Sequence, residues 1–324
     1  MTLVELSCRH PTPLVAGNPA YPTSAGSGGE LTFEDVRSLY SYSDFTGFLI
    51  AYKEVTESLR TADDFELVTY RLMKRLRAEN VLHAEIYVSV GVYLWRGDDF
   101  DELFEGMDRG RQRGEQEFGI SLLWLFDAVR QFGPEAARPV VDKAVQFRDR
   151  NVVGFGIGGD ERRGPPELFR EVYDYAREQG FRLTAHAGET TGPESISGAL
   201  DALGAERIGH AFTARQDPEL LARLVEQQVP LEICPTSNLR TGCCNSLLDH
   251  PLKHYFDAGA LVTLNSDDPA MFGTSLAREY HLAEKLFRLS EPQLRALAAN
   301  SFRASFLPPA EKQRYLQLLE DVPA

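Results

Sequence analysis

Apolar positions change their period near residue 80. From Thr32 they recur every three to four residues, as Phe33, Val36, Leu39 and Tyr40, then Phe45, Phe48, Leu49 and Tyr52, and again from Phe65 to Leu76. That spacing buries one face of a helix. Beyond it, short apolar runs at 84–90, 120–126, 152–157, 181–185, 207–209, 231–234 and 261–264 alternate with amphipathic stretches at 101–117, 135–150, 167–179, 194–203, 217–228 and 250–257. Several of these stretches open on Pro or Asp and close near Gly, which are helix start and stop signals. Strand, helix, strand repeated this often predicts a parallel sheet with helical crossovers, and near-continuous apolar strands predict cover on both of its faces. The first 30 residues differ: Pro11, Pro13, Pro19 and Pro22 and the run 24–29, SAGSGG, predict an irregular segment in which only residues 2–9 suit a helix.

Seven strands at this spacing point to an α/β fold of the TIM (β/α)₈ barrel type lacking its first strand; a doubly wound open sheet is the rival that the same pattern allows. The polar residues favour the barrel. Each of the last four runs ends in groups suited to metal or acid–base chemistry: HAGE at 186–189, GH at 209–210, CPTSN at 234–238 and SDDP at 266–269. Chemistry drawn from the carboxyl ends of successive strands is how barrel enzymes build a site. No repeat or linker divides the chain, so residues 1–324 are expected to form one domain.

Composition narrows the function. Lys plus Arg number 34 against 48 Asp plus Glu, a net charge of -14, and such a surface gains nothing from a polyanion by counterion release. Nucleic acid is not an expected partner, and phosphorylated substrates are disfavoured. No apolar run approaches the roughly 20 residues of a membrane helix and no leader pattern opens the chain, so a cytoplasmic protein is expected. The four cysteines, Cys8, Cys234, Cys243 and Cys244, form neither a disulfide framework nor a CxxC pair, and reduced thiols are expected.

Three places carry candidate chemistry. His186 ends the run FRLTA with Glu189 three residues on, so imidazole and carboxylate can share one mouth as metal donor and proton shuttle; a structural histidine at a strand end would read the same way. The same alternatives hold for His210. Asp267 and Asp268 follow the apolar run ALVTLNS, where two carboxylates are costly to bury without a cation or hydrogen-bonding ligand; the plainer reading is a cap for the helix from Ala270.

Together these segments resemble the adenosine deaminase family of metal-dependent amidohydrolases. HAGE at 186–189, RIGHA at 207–211, ICPTSNLRTG at 233–242 and TLNSDDPAMF at 263–272 stand in the family's order, and the likeness extends to HAEIYVS at 83–89, GFGIGGDE at 154–161 and NSFRASFLPPAEK at 300–312. The resemblance implies hydrolytic deamination of a small-molecule 6-aminopurine, with His186 and Asp267 as zinc ligands. It implies that Glu189 protonates the purine ring, that His210 holds and helps deprotonate the attacking water, that Asp268 bonds N7, and that the Gly159 backbone approaches the N3 edge. Aromatic residues between Tyr40 and Tyr52 either cover the sugar side or simply pack a helix. This metal arrangement is unlike that of the His/Cys/Cys deaminases.

One departure matters. The family opens on a strand ending His-x-His, which supplies two further zinc ligands, and the seven histidines here, at 10, 83, 186, 210, 250, 254 and 281, contain no such pair. Either VELSCR at 4–9 occupies that strand, with Ser7 and Arg9 in the histidine places, or residues 2–6 with Arg9-His10 match the family's first helix and Met1 lies downstream of the motif. The strand count favours the second register. Two ligands hold catalytic zinc poorly, so weak metal binding is expected unless His10 or His83 completes the site. The alternative to a zinc aminohydrolase on adenosine, adenine or a related 6-aminopurine is a metal-deficient relative that binds purines or works through Glu189 and His210 alone.

Overall fold

The computed structural model describes residues 38–321, so the readings made for residues 1–37, His10 included, lie outside the described residues. All seven expected strands are present: β1 His83–Val88, β2 Ser121–Val129, β3 Val152–Gly158, β4 Arg182–Ala187, β5 Arg207–His210, β6 Leu231–Ile233 and β7 Val262–Leu264. They pair in parallel in chain order, without the reversal a doubly wound sheet requires.

Helices α1 (Phe45–Thr56) and α2 (Ala62–Ala78) precede β1, and α3 (Val90–Arg96) and α4 (Phe100–Phe118) separate β1 from β2. Then α5 (Pro134–Gln146), α6 (Arg170–Glu178), α7 (Pro193–Asp201) and α8 (Pro218–Glu226) make the crossovers up to β6, and α9 (Pro235–Arg240) and α10 (Leu252–Asp257) lead to β7. The chain ends in α11 (Pro269–Phe272), α12 (Leu276–Lys285), α13 (Glu291–Ala304) and α14 (Pro309–Glu320). Local chemistry sets these boundaries. Thr61 and Asp64 form a reciprocal capping box on α2, Asp217 accepts from the Glu219 and Leu220 amides at the head of α8, and Gly119 closes α4 at φ 66°. The run expected as a strand over 84–90 divides, because the chain leaves β1 at Val88 and VGVYLWR coils into α3; an unbroken apolar string does not show where period two gives way to 3.6. The stretches 135–150 and 167–179 likewise divide, into α5 and a 3₁₀ turn at Arg148–Arg150, and into a 3₁₀ turn at Pro166–Phe169 and α6.

The outer layer is apolar, with Trp124 and Phe126 of β2 meeting Phe104 of α4 edge to face. The inside of the sheet carries charge. Arg207 on β5 donates Nη1 to Glu85 Oε2 on β1 at 2.5 Å and pairs through Nε with Glu232 on β6, while Tyr87 of β1 donates to Glu232 at 3.0 Å. All four are buried. Residues of the first strand thus touch the fifth and sixth, which a flat sheet of this order would keep far apart, so the sheet curls into most of a barrel. Among the described residues no ladder joins β1 to β7. Asn300 of α13 donates to the Val262 carbonyl on β7 at 3.1 Å, and the turn after α13 bonds back to the interior through Phe306 N to Glu85 at 2.5 Å.

Replacing Arg207 with Met should strand two buried carboxylates and cost about 3–5 kcal/mol in denaturant unfolding, whereas the combined Arg207→Met, Glu85→Leu, Glu232→Leu variant should recover much of that loss. A single-variant cost under about 1 kcal/mol would show that the charged cluster does not hold the curl.

Candidate active site

The curl sets the carboxyl ends of the strands around one cavity of about 370 Å³. His186 comes from β4, Glu189 from the turn after it, His210 is the last residue of β5, and Asp267 follows β7. His210 and Asp267 hold left-handed backbones at φ 64° and 52°, costly for residues with a Cβ and a recurrent mark of functional sites. His210 Nε2 stands 3.7 Å from Glu189 Oε2 and 3.9 Å from Asp267 Oδ2, and the His186 and His210 ring centroids are 5.3 Å apart. Burial lowers both imidazoles to about 4, with mutual repulsion adding to the effect at His186, so both are neutral at pH 7. Burial pushes the Asp267 carboxyl up, against a partly compensating bond from Ser237 and attraction to His186.

This donor chemistry fits a divalent cation. The Ile157 carbonyl, 3.2 Å from His186 Nδ1, can only accept, which places the ring proton on Nδ1 and leaves the Nε2 lone pair for a metal. A half-buried carboxylate whose charge desolvation disfavours is a group that a cation would stabilise. Ligand atoms of His210, Cys234 and Asp267 also lie within 4.8 Å of one another, which draws Cys234, the head of the CPTSN segment, to the site. His83 does not complete the set. It begins β1 at the opposite end of the barrel and is committed to Ser121 at 2.8 Å and Glu85 at 3.3 Å.

The turn that carries Glu189 is held by Glu161, just beyond β3. Its carboxylate accepts from the amides of Gly188, Glu189 and Thr190, each at 2.8 Å, and from the hydroxyls of Thr191 at 2.9 Å and Ser195 at 2.5 Å. Burial would raise this carboxyl, yet the bonds from Ser195 and Thr190 and the Arg130 charge keep it below its usual value. Arg130 also donates to the His186 carbonyl at 2.5 Å. Glu161 stood inside the GFGIGGDE segment, but nothing in the sequence paired it with residues some 30 positions away.

Gly159 lines the cavity at φ 92°, where a side chain would be strained, and a Cβ there would displace the end of Gln131, whose Oε1 would lie 2.4 Å away. Asp268 is fully buried at the head of α11, where its side chain makes no capping bond, contrary to the plainer expectation for it. His186, Glu189, His210, Asp267 and Gly159 therefore share the cavity wall, with Asp268 packed beside it. Asp127 of β2 joins the wall without any signal in the sequence. The mouth is apolar. Phe45, Leu49 and Tyr52 of α1 face it, and Trp95 of α3 stacks on Phe132 with centroids 5.1 Å apart. Phe48 packs on Phe272, as the plainer reading of the 40–52 segment expected, while other residues of the helix line the cavity.

A curled parallel sheet whose neutral histidines and carboxylates meet at the strands' carboxyl ends has the layout of the barrel amidohydrolases. Residues 30–322 match the family model described as Adenosine deaminase, and the chain belongs to that family. It is 40% identical over 312 residues to an aminodeoxyfutalosine deaminase of Streptomyces avermitilis, covering 96% of this chain and 83% of that one. An adenine deaminase of Geotalea uraniireducens is 38% identical over 291 residues, covering 90% and 82%. Among solved structures, the adenine deaminase of Arthrobacter aurescens superposes with a TM-score of 0.86 at 34% identity, covering 91% of this chain and 90% of that one. An amidohydrolase of Burkholderia ambifaria with bound zinc superposes at 0.82 with 25% identity, covering 91% and 85%. No helix among the described residues is long and apolar enough to cross a membrane.

Glu161 generates a pH-dependent prediction. Its folded value lies below the ordinary 4.5, so its stabilisation is complete above that pH and is lost as pH falls through the lower folded value. The stability gap between the unmodified protein and Glu161→Gln should be constant above pH 5 and shrink below 4.5, with amide exchange at 188–190 accelerated in the variant. Equal exchange at those amides would contradict the clamp.

Proposed function

We propose that the protein hydrolyses the 6-amino group of a purine base or nucleoside, releasing ammonia and leaving a 6-oxo purine. The observation that carries this reading is the meeting of Glu189, two neutral imidazoles and Asp267 on one cavity of nucleoside size. Relatives named as adenine and aminodeoxyfutalosine deaminases support the purine class.

In this mechanism Glu189 delivers a proton to a ring nitrogen, which makes C6 electrophilic, while the backbone at Gly159 admits the flat ring edge that a side chain would block. Asp268 bonds N7, and His210 holds the attacking water. His186 and Asp267 would hold zinc, which when bound lowers the pKa of a coordinated water toward neutrality. A purine-binding relative with reduced metal content is the second reading. It is favoured by the ligand inventory, since His210 is the only other histidine on the cavity wall among the described residues.

Ammonia release from adenine, adenosine and AMP tests the substrate. Net charge of -14 repels phosphate at a distance, although Lys53 and Arg163 reach the cavity wall. The uncharged substrates should react faster, and faster turnover of AMP would move the reading to nucleotides. Glu189→Gln should lower kcat about 10²–10⁴-fold while ligand binding persists, as expected for a lost proton donor; near-normal turnover would remove Glu189 from that role. Elemental analysis separates the paired aspartates: Asp267→Ala should lose metal, Asp268→Ala should keep it and raise KM, and equal zinc in both would refute the assignment.

A further inference from the structure

The amide of Leu252, at the head of α10, points at Nδ1 of His250 from 3.2 Å. A backbone N–H can only donate, so that ring nitrogen is an acceptor and the proton of the His250 ring sits on Nε2. Nε2 in turn lies 3.2 Å from Asn238 Oδ1 on α9, and an N–H facing this amide requires its carbonyl side. The NH₂ of Asn238 is thereby turned the other way, to 3.1 Å from Nδ1 of His210. An amide NH₂ also only donates. Nδ1 of His210 is therefore the acceptor, and its ring proton is on Nε2, the atom that faces Glu189 and Asp267. His250, Asn238 and His210 are all buried, which shields these bonds from bulk solvent and strengthens them.

We propose that His250 and Asn238 are positioning residues that lock His210 in its Nε2–H tautomer, so that in the deaminase reading above, on which this role rests, His210 donates a hydrogen bond to the attacking oxygen, whose proton passes instead to the Asp267 carboxylate, 3.9 Å from the same Nε2. This replaces the base role that family resemblance implied for His210. One backbone amide sets the polarity of a relay running from α10 through α9 to the end of β5. The opposite amide orientation would set N–H against N–H at His250 and, by presenting the Asn238 carbonyl to His210, would draw that ring's proton to Nδ1.

The test is the imidazole ¹⁵N spectrum of the full 324-residue protein labelled at histidine, with signals assigned by their loss in His210→Gln and His250→Gln. Both rings should show a protonated Nε2 and a bare, hydrogen-bonded Nδ1. His250→Leu removes the donor that orients Asn238, and the His210 signals should move to a mixture of tautomers. His250→Gln can accept from Leu252 and donate to Asn238, and it should restore the Nε2–H pattern. Asn238→Asp provides an independent check, because a carboxylate only accepts and should draw the His210 proton to Nδ1. With a deaminase substrate, His250→Leu and Asn238→Asp should lower kcat at least tenfold with little change in KM, and His250→Gln should recover most of it. A His210 proton on Nδ1 in the unmodified protein, or a His210 pattern unmoved by both His250→Leu and Asn238→Asp, overturns the proposal. The spectra need no turnover, so failure of the deaminase reading would appear separately, as absent ammonia release with the tautomer pattern intact.

Discussion

A single guanidinium inside the curled sheet sets the geometry on which the site depends. Arg207 faces two buried carboxylates, Glu85 across the barrel on β1 and Glu232 on the neighbouring β6. Burial opposes ionisation at both, but Arg207 and His83 bring Glu85 down to about 2, while Glu232, with Arg207 and Tyr87 offsetting only part of the same cost, is pushed up to about 7. An apolar interior of similar volume could be as stable. What the charged one adds is direction: a planar fork bonds its partners only when β1 lies opposite β5 and β6, and that curvature is what turns seven strand ends toward one mouth.

Above that clamp, the site is assembled from contacts that hold backbone as much as side chains. Left-handed residues at His210 and Asp267 turn the chain sharply where β5 and β7 end. Glu161 gathers three successive amides after β4, and Arg130 takes the carbonyl of His186. Each device fixes a residue of the cavity wall from the rear and leaves its front face to the cavity, the kind of support that a preorganised site needs.

The strands were legible in the sequence because buried parallel strands are written as short unbroken apolar runs. The same property hid α3, whose VGVYLWR string continues the run of β1 without a polar break. His186, Glu189, His210 and Asp267 were legible because each closes a strand run and together they form a recognisable series. The contacts of Glu161 and His250 were not, since they join segments that only the fold brings together: Glu161 with 188–195, His250 with Asn238 and, through it, His210. Asp268 shows the reverse limit. Its place before a helix predicted a cap, and the structure keeps the place but not the bond.

The mouth of the cavity bears on the heat of binding. Trp95 is 60% exposed and Ile50 55% exposed, with Phe132 stacked on the indole, so apolar surface remains in water beside the polar wall of the cavity. A molecule that covers this rim removes that surface from solvent at about 25 cal/mol per Å². Such burial lowers the heat capacity of the complex, so enthalpies of association become more favourable as temperature rises. A ligand confined to the polar floor between His186 and Asp267 would leave the rim wet and lack most of this effect, which makes the temperature slope of the binding enthalpy a measure of how far a bound molecule reaches toward α1 and α3.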